Sequence, residues 1–148
     1  MKHIARVLLW LPAWSFTTIV TAAILWLTLA PDPLPDNDLP LFPGFDKVAH
    51  ACMFGGLYFA AAFDLVSRGC RRKGITQKFA PLPVKAAYIT ALSVTAFGGA
   101  VELIQGAMAM GRGCDMADFC ADAAGVAIAM LLTPPVLRAM SAGGKRGQ

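Results

Sequence analysis

Charge is what this chain has least of. Asp, Glu, Lys and Arg together make up 15% of its 148 residues, against 57% hydrophobic residues and a mean hydropathy of +0.59. Folded as a soluble globule it would expose too much apolar surface, so the composition excludes that class and indicates an integral membrane protein. Histidine is almost as scarce. His3 and His50 are the two, which removes the paired-His zinc motif, and there is no glycine-rich phosphate loop and no nucleophile elbow. The four cysteines, Cys52, Cys70, Cys114 and Cys120, show no metal-ligand spacing. Free thiols are expected, since Cys114 and Cys120 would flank a helix start with unsuitable separation and direction for a disulfide.

Long apolar runs are what the chain does have. They predict an all-α integral membrane bundle of four transmembrane helices joined by short loops, one domain over residues 1–148. The expected spans are 7–30, 48–66, 86–110 and 119–137. The first carries no charge and is too long for the apolar core of a secretory signal, and Pro31 follows the only plausible cleavage point at Ala30, so it reads as a retained anchor. Trp10, Trp14 and Trp26 would mark its boundaries or its lipid-facing side. The second carries His50 and Asp64 near its two ends, the third Glu102, and the fourth Asp122. The fourth is expected to stop near Thr133, because Pro134 and Pro135 follow.

Basic residues orient the bundle. Lys2 and Arg6 precede the first span, Arg68, Arg71, Arg72, Lys73, Lys78 and Lys85 lie between the second and third, and Arg138, Lys145 and Arg146 close the chain. By the positive-inside rule both termini and the basic loop are cytoplasmic, in a multi-pass protein of the cytoplasmic membrane. Retention of that loop and attraction to anionic lipid account for its charge. It lacks the interleaved aromatics of a nucleic-acid surface, so no nucleic-acid partner is expected.

The opposite side is acidic and richer in chemistry. Five prolines between Pro31 and Pro43 make an extended connector. It leads to Asp46, which either caps the second helix or joins a site with His50, one turn along on the same face. Glu102 and Gln105 share a face of the third helix, and Glu102 is either protonated packing glue or part of a site. Arg112 precedes Asp115, Asp118, Asp122 and Gly125, spaced three, four and three apart, one stripe of the fourth helix. Asp115 or Asp118 suits its N-cap; Asp122 is too deep for that role. Ionisable groups in a bilayer are costly, so Asp46, His50, Glu102, Gln105, Arg112, Asp115, Asp118 and Asp122 at one depth form the candidate site.

Asp46-Lys47-x-x-His50, then Glu102-x-x-Gln105, then Arg112 followed by Asp118 and a polar residue four later ahead of Gly125, resembles the VanZ-like membrane proteins over roughly Asp46 to Leu132. The family usually has Asn where this chain has Asp122, which adds an acid. The resemblance implies a bacterial cell-envelope protein, and the founding member is associated with resistance to the glycopeptide teicoplanin. Three readings of the polar groups follow: binding or modulation of an outer-leaflet lipid, a lipid-linked cell-wall intermediate or an amphiphilic glycopeptide; a membrane-embedded hydrolase or transferase acting on a lipid-linked phosphate, with His50 or Glu102 as general base and Arg112 on the phosphate; or a polar network that only fixes helix register. The first is preferred. No cofactor is required by it, although Glu102, Asp118 and Asp122 offer carboxylates to a divalent cation.

Overall fold

The computed structural model describes residues 12–30, 42–72, 82–108 and 115–142. They form four helices and, among the described residues, no strand: α1 (Ser15–Leu29), α2 (Phe45–Arg72), α3 (Val84–Met108) and α4 (Met116–Ala142). Three of these, α2, α3 and α4, are long and apolar enough to cross a membrane, and α1 is shorter. At about 1.5 Å per residue the three long helices reach roughly 38–42 Å, more than the hydrocarbon thickness. Their outward faces are apolar. Leu92 and Leu131 are 72% and 76% exposed, so the surfaces α3 and α4 turn away from the bundle suit lipid rather than water.

The helices alternate in direction. Thr28 at the end of α1, His50 at the start of α2, Gln105 near the end of α3 and Asp122 near the start of α4 meet at one end. At the other end Phe16 of α1 meets Phe63 of α2 edge to face, and Cys70 packs with Leu137 of α4. The centre is α2, which packs most extensively on α4. Small residues make that contact possible: Gly125 faces the backbone of Ala51, and a Cβ on Gly55 would come within 2.9 Å of the Gly125 carbonyl. Around this seam Ile24, Phe54, Leu57, Tyr58, Ala62, Val94, Val101 and Val126 form the apolar core.

Several boundaries differ from the sequence expectation, each for a local reason. The run 7–30 is not one uninterrupted helix, because Trp14 takes a left-handed φ of 73° and the helix begins only at Ser15. Its start is closed by Ser15 N and Oγ, both donating to the Pro12 carbonyl, and residues 7–11 lie outside the described residues. The second helix is longer than 48–66: it starts at Phe45 after Gly44 (φ +85°) and takes in Arg68, Arg71 and Arg72, so residues 67–72 of the expected basic loop are helix. Cations in a last turn face the negative end of the helix dipole, which favours that extension. Asp46 therefore lies inside the first turn rather than at the cap, and the Gly44 carbonyl accepts from Lys47 N and Val48 N.

The fourth helix begins at Met116, not 119, and does not stop near Thr133. It runs through Pro134 and Pro135 to Ala142. The Thr133 hydroxyl donates to the Ala129 carbonyl at 2.7 Å just before the prolines, whose missing N–H groups withdraw the helical donors of the Met130 and Leu131 carbonyls. Asp115 is the cap, as one of the two expected candidates: its Oδ1 accepts from Ala117 N at 2.8 Å, and its carbonyl accepts from Asp118 N and Phe119 N.

Asp64 has a role the sequence did not disclose. It is 5% exposed on α2, and its Oδ2 accepts from Thr17 N (2.9 Å) and Thr17 Oγ1 (2.8 Å) in the first turn of α1. One helix thus caps another, which fixes where α1 begins against α2. Arg68, one turn on from Asp64, places its guanidinium 5.8 Å from the Trp14 ring centre, closing over the same junction.

Candidate functional site at the acidic end of the bundle

His50, Glu102 and Asp122 come from three helices and meet inside the bundle. Each lies about 8–9 Å along its helix from the end at which the four elements converge, five or six residues at about 1.5 Å. His50 Nδ1 is 3.0 Å from Asp122 Oδ1 and 3.7 Å from Glu102 Oε1. All three are buried, Asp122 completely. The His50 ring stacks near-parallel on Phe54 (16° between planes, centroids 6.3 Å apart), which sets its orientation. Gly98 is what admits Asp122: a Cβ there would lie 2.7 Å from Asp122 Oδ2 and 3.2 Å from Phe54.

The buried trio is incompletely satisfied. Asp115 N donates to Glu102 Oε2 at 3.2 Å, which turns the other oxygen, Oε1, toward His50. That Oε1 and Asp122 Oδ2 are buried without a hydrogen-bond partner. Such atoms are uncommon in folded proteins, because an unpaired buried acceptor forfeits its hydration.

Above the trio lies a second group. Lys47 Nζ contacts Asp46 Oδ2 (2.8 Å), Asp118 Oδ1 (3.0 Å) and Asp115 Oδ2 (3.2 Å), so one ammonium serves three carboxylates drawn from two helices. The two groups touch through Asp115, whose backbone reaches Glu102 while its carboxylate reaches Lys47. Donation from Ala117 N, and then the Lys47 ammonium, hold the Asp115 carboxyl below the ordinary carboxylate range.

The structure therefore brings together seven of the eight residues the sequence singled out, in two connected layers with one outlier in role. Asp46, Asp115 and Asp118 form the rim, His50, Glu102 and Asp122 the buried trio. Gln105 is at the same end, but its Nε2 donates to the Thr28 carbonyl at 3.0 Å and so ties α3 to the end of α1. Arg112 lies outside the described residues. Lys47 is the residue the sequence reading left out of the site. It stood in the Asp46-Lys47-x-x-His50 motif, and the clue was its position as the lone basic residue in an otherwise acidic outer segment. Asp118 is turned to Lys47 rather than to Glu102 and Asp122, and His50 occupies the place beside those two.

Comparison with models of protein families, with curated proteins and with solved structures finds no match. The chemistry of the site rests on this chain's own residues.

Proposed function

We propose that this chain is a multi-pass protein of the cytoplasmic membrane, VanZ-like in its motif order, whose acidic end faces outward and binds the head group of an outer-leaflet lipid or lipid-linked cell-envelope component. The observation that carries the reading is the gathering of His50, Glu102 and Asp122 beneath the Lys47 rim, with two buried carboxylate oxygens left unpaired. The described cations support this orientation: Arg68, Arg71, Arg72, Lys85 and Arg138 lie at the opposite end of the helices and Lys47 alone at this one. The positive-inside rule puts the five in the cytoplasm, and with them both termini.

The rim sets three carboxylates against one ammonium, so it suits the amine or hydroxyl groups of a head group. An amphiphile also gains from the exposed apolar faces of α3 and α4, along which its chains would lie. Purified protein reconstituted with either amine-bearing or purely anionic phospholipid and analysed by native mass spectrometry tests this. Selective retention of the amine-bearing lipid, weakened in D118N, is expected; equal retention of both lipids, or no change in D118N, refutes it. Lipid and cell-wall precursor profiles of cells with and without the chain then name the species. The link to glycopeptide tolerance rests on the VanZ-like motif order and is tested by teicoplanin susceptibility in the same pair of strains.

A second reading has one observation in its favour. His50 paired with Asp122 at 3.0 Å is a base held by a carboxylate, the arrangement a membrane-embedded hydrolase or transferase would use on a lipid-linked phosphate. Release of phosphate from such a lipid by the purified protein, abolished in H50Q, would select it over simple binding.

A further inference from the structure

We infer that His50, Glu102 and Asp122 form a binding site for a divalent transition-metal cation, zinc foremost. The donor atoms they offer, one imidazole nitrogen and two carboxylate oxygens, lie within 4.8 Å of one another. In a tetrahedral zinc site with bonds of about 2.1 Å, ligand atoms stand roughly 3.4 Å apart. The separations of 3.0 Å and 3.7 Å from His50 Nδ1 bracket that value. One nitrogen with two oxygens is a set that zinc, manganese and iron accept, whereas calcium and magnesium take oxygen donors throughout.

Charge points the same way. Two carboxylates buried beside a neutral imidazole carry a formal charge of −2, and the nearest ammonium, on Lys47, already serves Asp46, Asp115 and Asp118. A divalent cation neutralises the pair where burial would otherwise be costly. Glu102 Oε1 is the independent indication: buried, accepting no hydrogen bond, and directed at His50. The surroundings are built as a supporting shell, with Asp115 N–H holding the other Glu102 oxygen and Phe54 fixing the imidazole plane. Three protein donors are the number a zinc site uses when its fourth position is left to water or substrate.

The site stands independently of which ligand the rim takes, and its test is separate. Full-length, tag-free protein in detergent is stripped with chelator and titrated with Zn²⁺ or Co²⁺, with bound metal measured by mass spectrometry and the cobalt absorption bands recorded. One equivalent per chain is expected, with affinity falling at least tenfold in H50Q, E102Q and D122N and unchanged in H3Q. Helix content and elution volume are followed in parallel. Should D122N misfold, the near-isosteric E102Q and the wild-type cobalt spectrum decide. Absence of stoichiometric metal in the wild type, or undiminished binding in E102Q and H50Q, overturns the inference and leaves a proton shared within the trio. Lipid retention measured on the stripped protein reads the head-group proposal apart from the metal.

Discussion

Replacing Gly125 with alanine adds one methyl group at the α2–α4 crossing and should have a large effect. The new Cβ would fall inside the van der Waals contact of the Ala51 carbonyl and Cα, and because these are backbone atoms no side-chain rotation relieves it. The two helices must part by roughly 1 Å, and a gap of that size forfeits about a quarter to a half of each dispersion contact across the seam. Overpacking typically costs about 1–3 kcal/mol, and a backbone clash belongs at the top of that range. About 3 kcal/mol is roughly a hundredfold in the folding equilibrium. The assay is equilibrium unfolding in mixed micelles, followed by circular dichroism, across a graded series. Gly55→Ala, whose Cβ meets the Gly125 carbonyl at 2.9 Å, should lose less. Gly56→Ala meets nothing within 4 Å and should be neutral or gain up to about 1 kcal/mol from the better helix propensity of alanine. If G125A unfolds with G56A rather than well before it, the close crossing is not what holds α2 to α4.

Gly98→Ala should separate site from fold, since its Cβ meets the Asp122 carboxylate and the Phe54 ring edge, both of which can shift; lowered metal affinity with a stability loss of about 1 kcal/mol is expected by overpacking. Asp64→Ala strips the cap from α1 and leaves Thr17 N–H and hydroxyl unpaired, lowering stability by about 1–3 kcal/mol, while Asp64→Asn keeps an acceptor oxygen and should lose less in the same unfolding assay. Asp115 has a depressed folded pKa, so its stabilising contribution is complete above the unfolded value near 4 and disappears as pH falls through the lower folded value. Denaturation followed between pH 6 and pH 2 should therefore lose less stability on acidification in D115N than in the wild type.

Much of the architecture follows from one-dimensional pattern. Charge-poor runs of sufficient length placed the starts of α2, α3 and α4 within three residues, because apolar length and helical rise are local quantities, while α2 and α4 run six and five residues past their expected ends. The acid stripe Asp115, Asp118, Asp122 was equally readable, since spacings of three and four fix a common face whatever surrounds the helix. Buried charge in an apolar run is conspicuous for the same reason, and Glu102 and His50 stood out before any packing was known.

What the sequence alone could not supply is which of these groups touch. His50 and Asp122 are 72 positions apart, and their 3.0 Å contact exists only because Gly55 and Gly125 let two backbones approach and Gly98 leaves room for a carboxylate. The same is true of Lys47, whose place among three acids is set by the angle between α2 and α4, and of Asp64, an acid at the end of an apolar run until Thr17 is brought against it. Hydropathy and periodicity assign a residue to a helix and a face. Only the packing of small residues at the crossings decides which faces meet, and with it whether these acids and the histidine form a site.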